Sequence, residues 1–209
     1  MPFIETSGIR MLFIHIPKTG GTSIEKSMGN LAPLNLCVRA ILPFLKVPPE
    51  HFTYHNICAL FGENFFDYVF TVVRNPYQRI ESEFRMRSLL AKERFFKELP
   101  KFPFWLEQTL DQAMRDRNVY ANHLRPQIEF VGEGINVFRY EDGLDNVVNV
   151  ISKNTGVKLS LPEEKILETN DFKAEIEWTS ESIRLVNCFY ADDFKCFSYP
   201  QKTIEFIRW

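Results

Sequence analysis

An apolar run, Met11-Leu12-Phe13-Ile14-His15-Ile16, stops at Pro17 and gives way to Lys18-Thr19-Gly20-Gly21-Thr22-Ser23. Such a run predicts a buried strand entering a tight loop. Thr22 or Ser23 can then cap a helix that reaches residue 28, with Glu25 in its first turn. The pattern returns at residues 68–73, Tyr-Val-Phe-Thr-Val-Val, followed by Asn75-Pro76, an N-cap with proline at the first helical position. That helix is expected over residues 77–90, with Ile80, Phe84 and the stem of Arg87 on one face. A third strand is read at 135–140, a helix after it at 144–151, and a last helix at 180–194 with Ile183, Val186, Phe189 and Tyr190 on one stripe. Strands alternating with helices specify an α/β domain with a central parallel sheet flanked by helices. Ligands of such sheets bind beyond the carboxyl ends of the strands, where the 17–21 and 74–76 loops fall. The proline-rich stretches 30–55 and 97–103 read as irregular, substrate-facing loops.

Composition narrows the class and the partners. At 209 residues the chain has room for one domain, 1–209. Hydrophobic residues at 45% and charged residues at 25% exclude a disordered chain, a collagen-like repeat and a coiled coil. The 20 phenylalanines promise an aromatic interior. A net charge of −2 removes the global basic field that nucleic acid would require, and no nucleic acid partner is expected. Cys37, Cys58, Cys188 and Cys196 fit no zinc motif and read as free core thiols. Residues 1–10 hold no signal-like run, no apolar stretch reaches the roughly 18 residues of a membrane span, and no Asn-x-Ser/Thr sequon occurs. A cytoplasmic, reducing compartment is the expectation, with a luminal fragment as the alternative.

The chemistry concentrates in the 17–23 loop. Gly20 and Gly21 lack a Cβ, so the backbone can turn its N–H groups inward around an anion. The following helix adds its unpaired N–H groups and its dipole. Lys18 brings a charge, and Thr22 and Ser23 bring hydroxyl donors. The order differs from a Walker A loop, in which lysine follows the glycines, and no strand ends in an aspartate suited to magnesium. A second anion site is suggested by Arg74 at the end of the 68–73 strand and Ser82 two helical turns on. Together the two sites describe a ligand with two separated phosphate-type groups.

On these residues the chain resembles the sulfotransferases that use 3′-phosphoadenosine-5′-phosphosulfate (PAPS). Phe13-Ile-His-Ile-Pro-Lys-Thr-Gly-Gly-Thr-Ser23 is similar to their 5′-phosphosulfate loop, and Val72-Val-Arg-Asn-Pro-Tyr-Gln-Arg-Ile-Glu-Ser-Glu-Phe84 to their 3′-phosphate motif. Phe138-Arg-Tyr-Glu-Asp142 and the segment from Tyr190 to Tyr199 resemble a third and a closing segment. The wording of the first motif is nearest to the carbohydrate branch, the glycan O-sulfotransferases. The resemblance implies a P-loop-NTPase-like sulfotransferase fold and PAPS as cofactor, with adenosine 3′,5′-bisphosphate as product and no metal. It implies that Lys18 contacts the phosphosulfate, that Thr19, Gly20, Gly21, Thr22 and Ser23 cradle the 5′-phosphate, and that Arg74 and Ser82 bind the 3′-phosphate. The acceptor it implies is a hydroxyl of a glycan or small molecule.

An acceptor hydroxyl needs a base, and histidine suits neutral pH. His55, in Phe52-Thr-Tyr-His-Asn56, sits where glycan 2-O-sulfotransferases carry a catalytic Tyr-His, although Ile57 replaces their second histidine. It is the first choice. His123, in a segment resembling chondroitin-type enzymes, is the second, and His15 the third. His51 has no sequence neighbour that argues for chemistry. Glu141-Asp142 reads as a structural pair capping the next helix. Two other functions stay open: a non-catalytic nucleotide- or glycan-binding relative, and a P-loop-like kinase. The acceptor would be set by the irregular segments 31–54 and 87–125.

Overall fold

The computed structural model describes residues 1–162 and 174–203. Its sheet is built around β2 (Ile9–Ile14) and β3 (Tyr68–Val73), whose residues are apolar on both faces because both faces are covered. Met11, Phe13, Phe70 and Val72 pack on one side against Ile24 and Met28 of α1 (Gly21–Gly29) and Val147, Val148 and Ile151 of α5 (Leu144–Thr155). Leu12, Ile14 and Val73 point to the other side, into the larger cluster. There they meet α3 (Pro76–Phe95), α4 (Phe102–Arg115), α6 (Ser180–Phe189) and α7 (Ala191–Cys196) through Ile80, Trp105, Val186 and Phe194. The expected aromatic interior lies here: Phe102 sits edge-on to Phe84 at 5.2 Å and to Trp178 at 4.9 Å.

Strand order is β1-β2-β3-β4, with β4 at Asn136–Arg139. β2 pairs in parallel with β3, and β3 with β4. The register sets Ile14 opposite Thr71 and Val73 opposite Arg139, so the loops after all three strands leave from one edge. The sheet is mixed rather than wholly parallel. β1 (Phe3–Thr6) runs antiparallel to β2 through a two-residue turn in which Ser7 and Gly8 both have positive φ, 51° and 77°. That turn matches the right-handed twist of the strands it joins.

The helices depart from the sequence expectation in definite ways. The cap of α1 is Gly20, not Thr22 or Ser23, and Glu25 is buried rather than placed in the first turn. Asn75 caps α3 as expected, its side chain accepting from the Tyr77 N–H with Pro76 behind it. Residues 87–125 are not wholly irregular, because α3 continues to Phe95 and α4 occupies 102–115, burying Phe102, Trp105, Leu106, Thr109, Leu110 and Ala113 at helical spacing. Pro103 starts that helix instead of breaking one. α2 (Tyr54–Phe61) begins with a capping box between Thr53 and Asn56. The 180–194 helix is two helices that part at Tyr190, whose hydroxyl donates to the Leu124 carbonyl at 2.9 Å. The four cysteines are free but none is a core residue: Cys37 and Cys58 are half-buried, Cys188 and Cys196 exposed. Glu141 caps no helix. Its carboxylate accepts from the Asn75 N–H at 2.7 Å and from the Tyr199 hydroxyl at 2.8 Å, tying the ends of β3 and β4 to the 199 segment.

The break at Tyr190 is followed by Asp193, which is fully buried. Its two oxygens accept from the N–H groups of Gln127 and Ile128, each at 2.9 Å. Asp193→Ala would leave both donors unpaired and is expected to cost about 3 kcal/mol. Asp193→Asn, which keeps one acceptor oxygen, should lose less. Urea denaturation of the two variants checks this, and equal midpoints for wild type and Asp193→Ala would contradict it.

Candidate functional site

The sheet edge common to β2, β3 and β4 carries the site. After β2 the chain enters the 17–23 loop with Lys18 at φ 69° and Gly20 at φ 88°. A left-handed lysine costs about 1–2 kcal/mol, strain of the kind that gathers at functional loops. Among the described residues the backbone N–H groups of Lys18, Thr19 and Gly20 make no hydrogen bond. Those of Gly21 and Thr22 stand in the first turn of α1, where the helix offers no acceptor. The loop therefore presents a row of free donors at a helix N-terminus, an arrangement suited to an anion. Thr22 is exposed and Ser23 half-exposed, so both hydroxyls are accessible. Thr19 differs: its side chain is buried and donates to the Ile16 carbonyl at 2.8 Å, which leaves only its N–H for a ligand.

Both glycines are required by what lies over them. A Cβ on Gly20 would stand 2.9 Å from the Tyr140 ring, and one on Gly21 would stand 2.1 Å from His15 Nε2. Tyr140 also supports the second cation. The Arg74 guanidinium lies 4.4 Å from its ring centroid and donates to the Lys18 carbonyl at 3.3 Å. Arg74 is anchored through its backbone by Gln127, whose side chain bonds both its N–H and its carbonyl at 2.8 Å. Its Nε is buried without a partner. Burial is the main cause lowering the Arg74 pKa, and Tyr140 and Glu141 act against it. Ser82 is buried on α3 and its hydroxyl has no partner among the described residues.

Lys18 reaches toward α3, its ammonium 3.5 Å from Met86 Sδ. Burial pushes its pKa down, Glu83 opposes that, and Arg74 and Arg87 add to it. No carboxylate pairs with either Lys18 or Arg74 among the described residues. Glu83, 1% exposed, is the acidic centre of this region. It accepts from Arg87 Nε at 2.7 Å and from His123 Nδ1 at 2.7 Å. Burial acts to raise its pKa, but His123, Arg87 and Lys18 together hold the carboxyl far below the usual range. Burial likewise lowers the His123 pKa, against the pull of Glu83.

Three of the four histidines come together. His15 stands edge-on to His51 at 5.4 Å, and His51 edge-on to His123 at 4.9 Å. His51, given no role by its sequence neighbours, is the middle ring, and burial beside the other two pushes its pKa down to about 2. His55 is not part of the group. It lies on the exposed side of α2 and has no partner among the described residues. The residue that the motifs concealed is Arg79, 2% exposed. Its Nε donates to the Pro17 carbonyl at 3.0 Å, Nη1 to Arg125 at 3.0 Å and Nη2 to His123 at 2.7 Å. It thereby fixes the loop against the histidine segment. Arg79, Glu83 and Arg87 recur every four residues, a spacing that usually marks a solvated face; only their burial reveals the role.

The comparison with protein families agrees with this edge-of-sheet site. The family model described as the sulfotransferase family matches residues 2–200. The chain belongs to the sulfotransferase family. Among the curated proteins and the solved structures, nothing matches it. Membership makes this sulfotransferase a transferase whose general chemistry is sulfuryl transfer. The matched span covers the loop, both cations and all four histidines. Among the described residues no helix of the sulfotransferase is long and apolar enough to cross a membrane.

Gly21 offers a direct check on this geometry. His15 cannot swing freely, because its Nδ1 bonds Glu25 at 2.6 Å. Gly21→Ala is expected to destabilise the fold by about 2 kcal/mol, the scale of overpacking. A thermal melt that matches wild type would show that the ring moves aside.

Proposed function

We propose that the protein transfers the sulfuryl group of PAPS to a hydroxyl of a carbohydrate or other small acceptor. The observation that supports this most is the pair Lys18 and Arg74, two half-buried cations without a carboxylate partner among the described residues. Buried charge is tolerated when a ligand completes it. One cation stands at a glycine loop heading a helix and the other at the neighbouring strand end. That spacing suits a nucleotide with anionic groups at both its 5′ and 3′ positions.

Lys18, the N–H groups of Thr19, Gly20, Gly21 and Thr22, and the hydroxyls of Thr22 and Ser23 would hold the 5′-phosphosulfate. Arg74 and Ser82 would hold the 3′-phosphate. Bound PAPS supplies an activated sulfuryl group: the acceptor O–S bond forms as the S–O bond to the 5′-phosphate breaks, leaving adenosine 3′,5′-bisphosphate. Lys18 and the loop donors face the oxygen on which charge builds, and stabilise it without reorganising. His123 is our choice of base, ahead of His55, because it is oriented by Glu83, burial favours its neutral form, and it is close enough to Lys18 to feel its charge. With Nδ1 bonded to Glu83, Nε2 takes the acceptor proton, and the carboxylate stabilises the imidazolium that results.

Two experiments test this. A thermal-shift titration compares adenosine 3′,5′-bisphosphate with 5′-AMP and with ATP–magnesium. At a hundred times its dissociation constant the bisphosphate should add about 2.7 kcal/mol, require its 3′-phosphate, and lose its effect in Arg74→Ala. Stabilisation by ATP–magnesium alone would favour the kinase, and binding with no transfer would favour a non-catalytic relative. For the base, release of adenosine 3′,5′-bisphosphate from PAPS is followed in His123→Ala and His55→Ala. His123→Ala should be slower by about a hundredfold or more with nucleotide binding intact. Full turnover in His123→Ala beside a dead His55→Ala would return the role to His55.

A further inference from the structure

Against the 17–23 loop, where His15 covers Gly21, lies a second group of donors to which the proposed transfer assigns no role. His15 directly follows β2, and Glu50 and His51 belong to a short 3-10 turn, Pro49–His51. All three are under 9% exposed, at 8%, 7% and 6%. One ligand atom from each lies within 4.8 Å of the others.

The orientation of the rings is the telling feature. His15 Nδ1 is bonded to Glu25 at 2.6 Å, and His51 Nδ1 faces the Ala121 carbonyl at 3.0 Å. Each imidazole thus has Nδ1 tied to an oxygen acceptor and Nε2 left as the lone-pair nitrogen. Metal-bound histidines are held in the same way, one nitrogen on the metal and the other on a carboxylate or carbonyl. His51 Nε2 and Glu50 Oε1 face each other at 3.6 Å, too long for a hydrogen bond. Two ligands of one tetrahedral zinc ion stand about 3.3 Å apart, given Zn–N and Zn–O lengths of about 2.0–2.1 Å. The other Glu50 oxygen is 3.3 Å from Arg39 Nε, and that arginine is 68% exposed at the mouth of the group. An ion on Oε1 leaves the Arg39 contact in place.

We propose that His15, His51 and Glu50 form a site for a borderline divalent cation of the Zn²⁺ type, with Glu25 and the Ala121 carbonyl as supporting partners. Two imidazoles and one carboxylate suit zinc and its neighbours rather than magnesium or calcium, which prefer oxygen alone. The ion ties the end of β2, the 49–51 turn and the turn at Ala121 into one unit. Its role is structural.

The test is calorimetric titration of the metal-stripped protein with Zn²⁺, then with Mg²⁺, together with the visible spectrum after Co²⁺ loading. Wild type should take up one equivalent of Zn²⁺, ignore Mg²⁺, and show the absorption of low-coordinate Co²⁺. Glu50→Gln and His51→Asn should each weaken Zn²⁺ by about tenfold or more, while His55→Ala, on the exposed histidine, binds like wild type. If His51→Asn fails to fold, Glu50→Gln decides. The proposal is overturned by no uptake in wild type, by unchanged affinity in Glu50→Gln, or by uptake that depends on His55.

Discussion

One buried guanidinium holds the working edge of this sulfotransferase together. Arg79 projects from α3 and donates to three carbonyls, those of Pro17, Arg125 and His123. Those carbonyls belong to two segments far apart in the chain, the loop after β2 and the turn after α4. Neither segment is regular secondary structure, so neither satisfies its own backbone groups. A fork with donors in fixed directions can satisfy both at once, and in doing so it fixes the distance between Lys18 and His123. Lysine, with one point of charge, would not span them.

Around that clamp the charges are arranged by burial. Lys18, Arg87 and His123 surround a single deeply buried carboxylate, Glu83, which is committed to Arg87 and His123. The count leaves Lys18 and Arg74 without a close counter-ion among the described residues. An anionic ligand is then more than tolerated: burial is the main cause that holds both cations below their ordinary pKa values, and an anion supplies the counter-charge that offsets it. The loop N–H groups and the dipole of α1 act in the same direction. Gln127 and Asp193 keep Arg74 in place from behind, one through the Arg74 backbone and the other through the N–H of Gln127.

Much of this was legible in the order of residues. The apolar runs before Pro17 and Arg74 are strands, as their composition required, and Asn75-Pro76 starts a helix as its chemistry required. Lys18, Gly20, Gly21 and Arg74 could be picked out because glycine and charge at a strand end have few other uses. The missed elements failed for local reasons. Prolines at 100 and 103 bracket the start of the apolar stripe of α4, and β1, Phe-Ile-Glu-Thr, lacks the apolar–polar alternation that marks a hairpin strand. His51 and His55 illustrate the limit most sharply. They sit four residues apart, one enclosed by two other rings and one facing solvent, and the Tyr-His context that favoured His55 carries no information about which of them is buried.

The sequence by itself determined the α/β class, the loop and the two cations, because these rest on neighbours along the chain: periodicity, glycine content and the residue at a strand end. The tertiary structure alone decided which histidine meets Glu83, which arginine becomes a clamp, and that β1 closes the sheet antiparallel. The physical reason is that desolvation and pairing depend on what arrives from distant segments. Arg79 and Glu83 have the spacing of a solvated helix face, and only the packing of the 121–127 turn against α3 makes them the buried centre of the site.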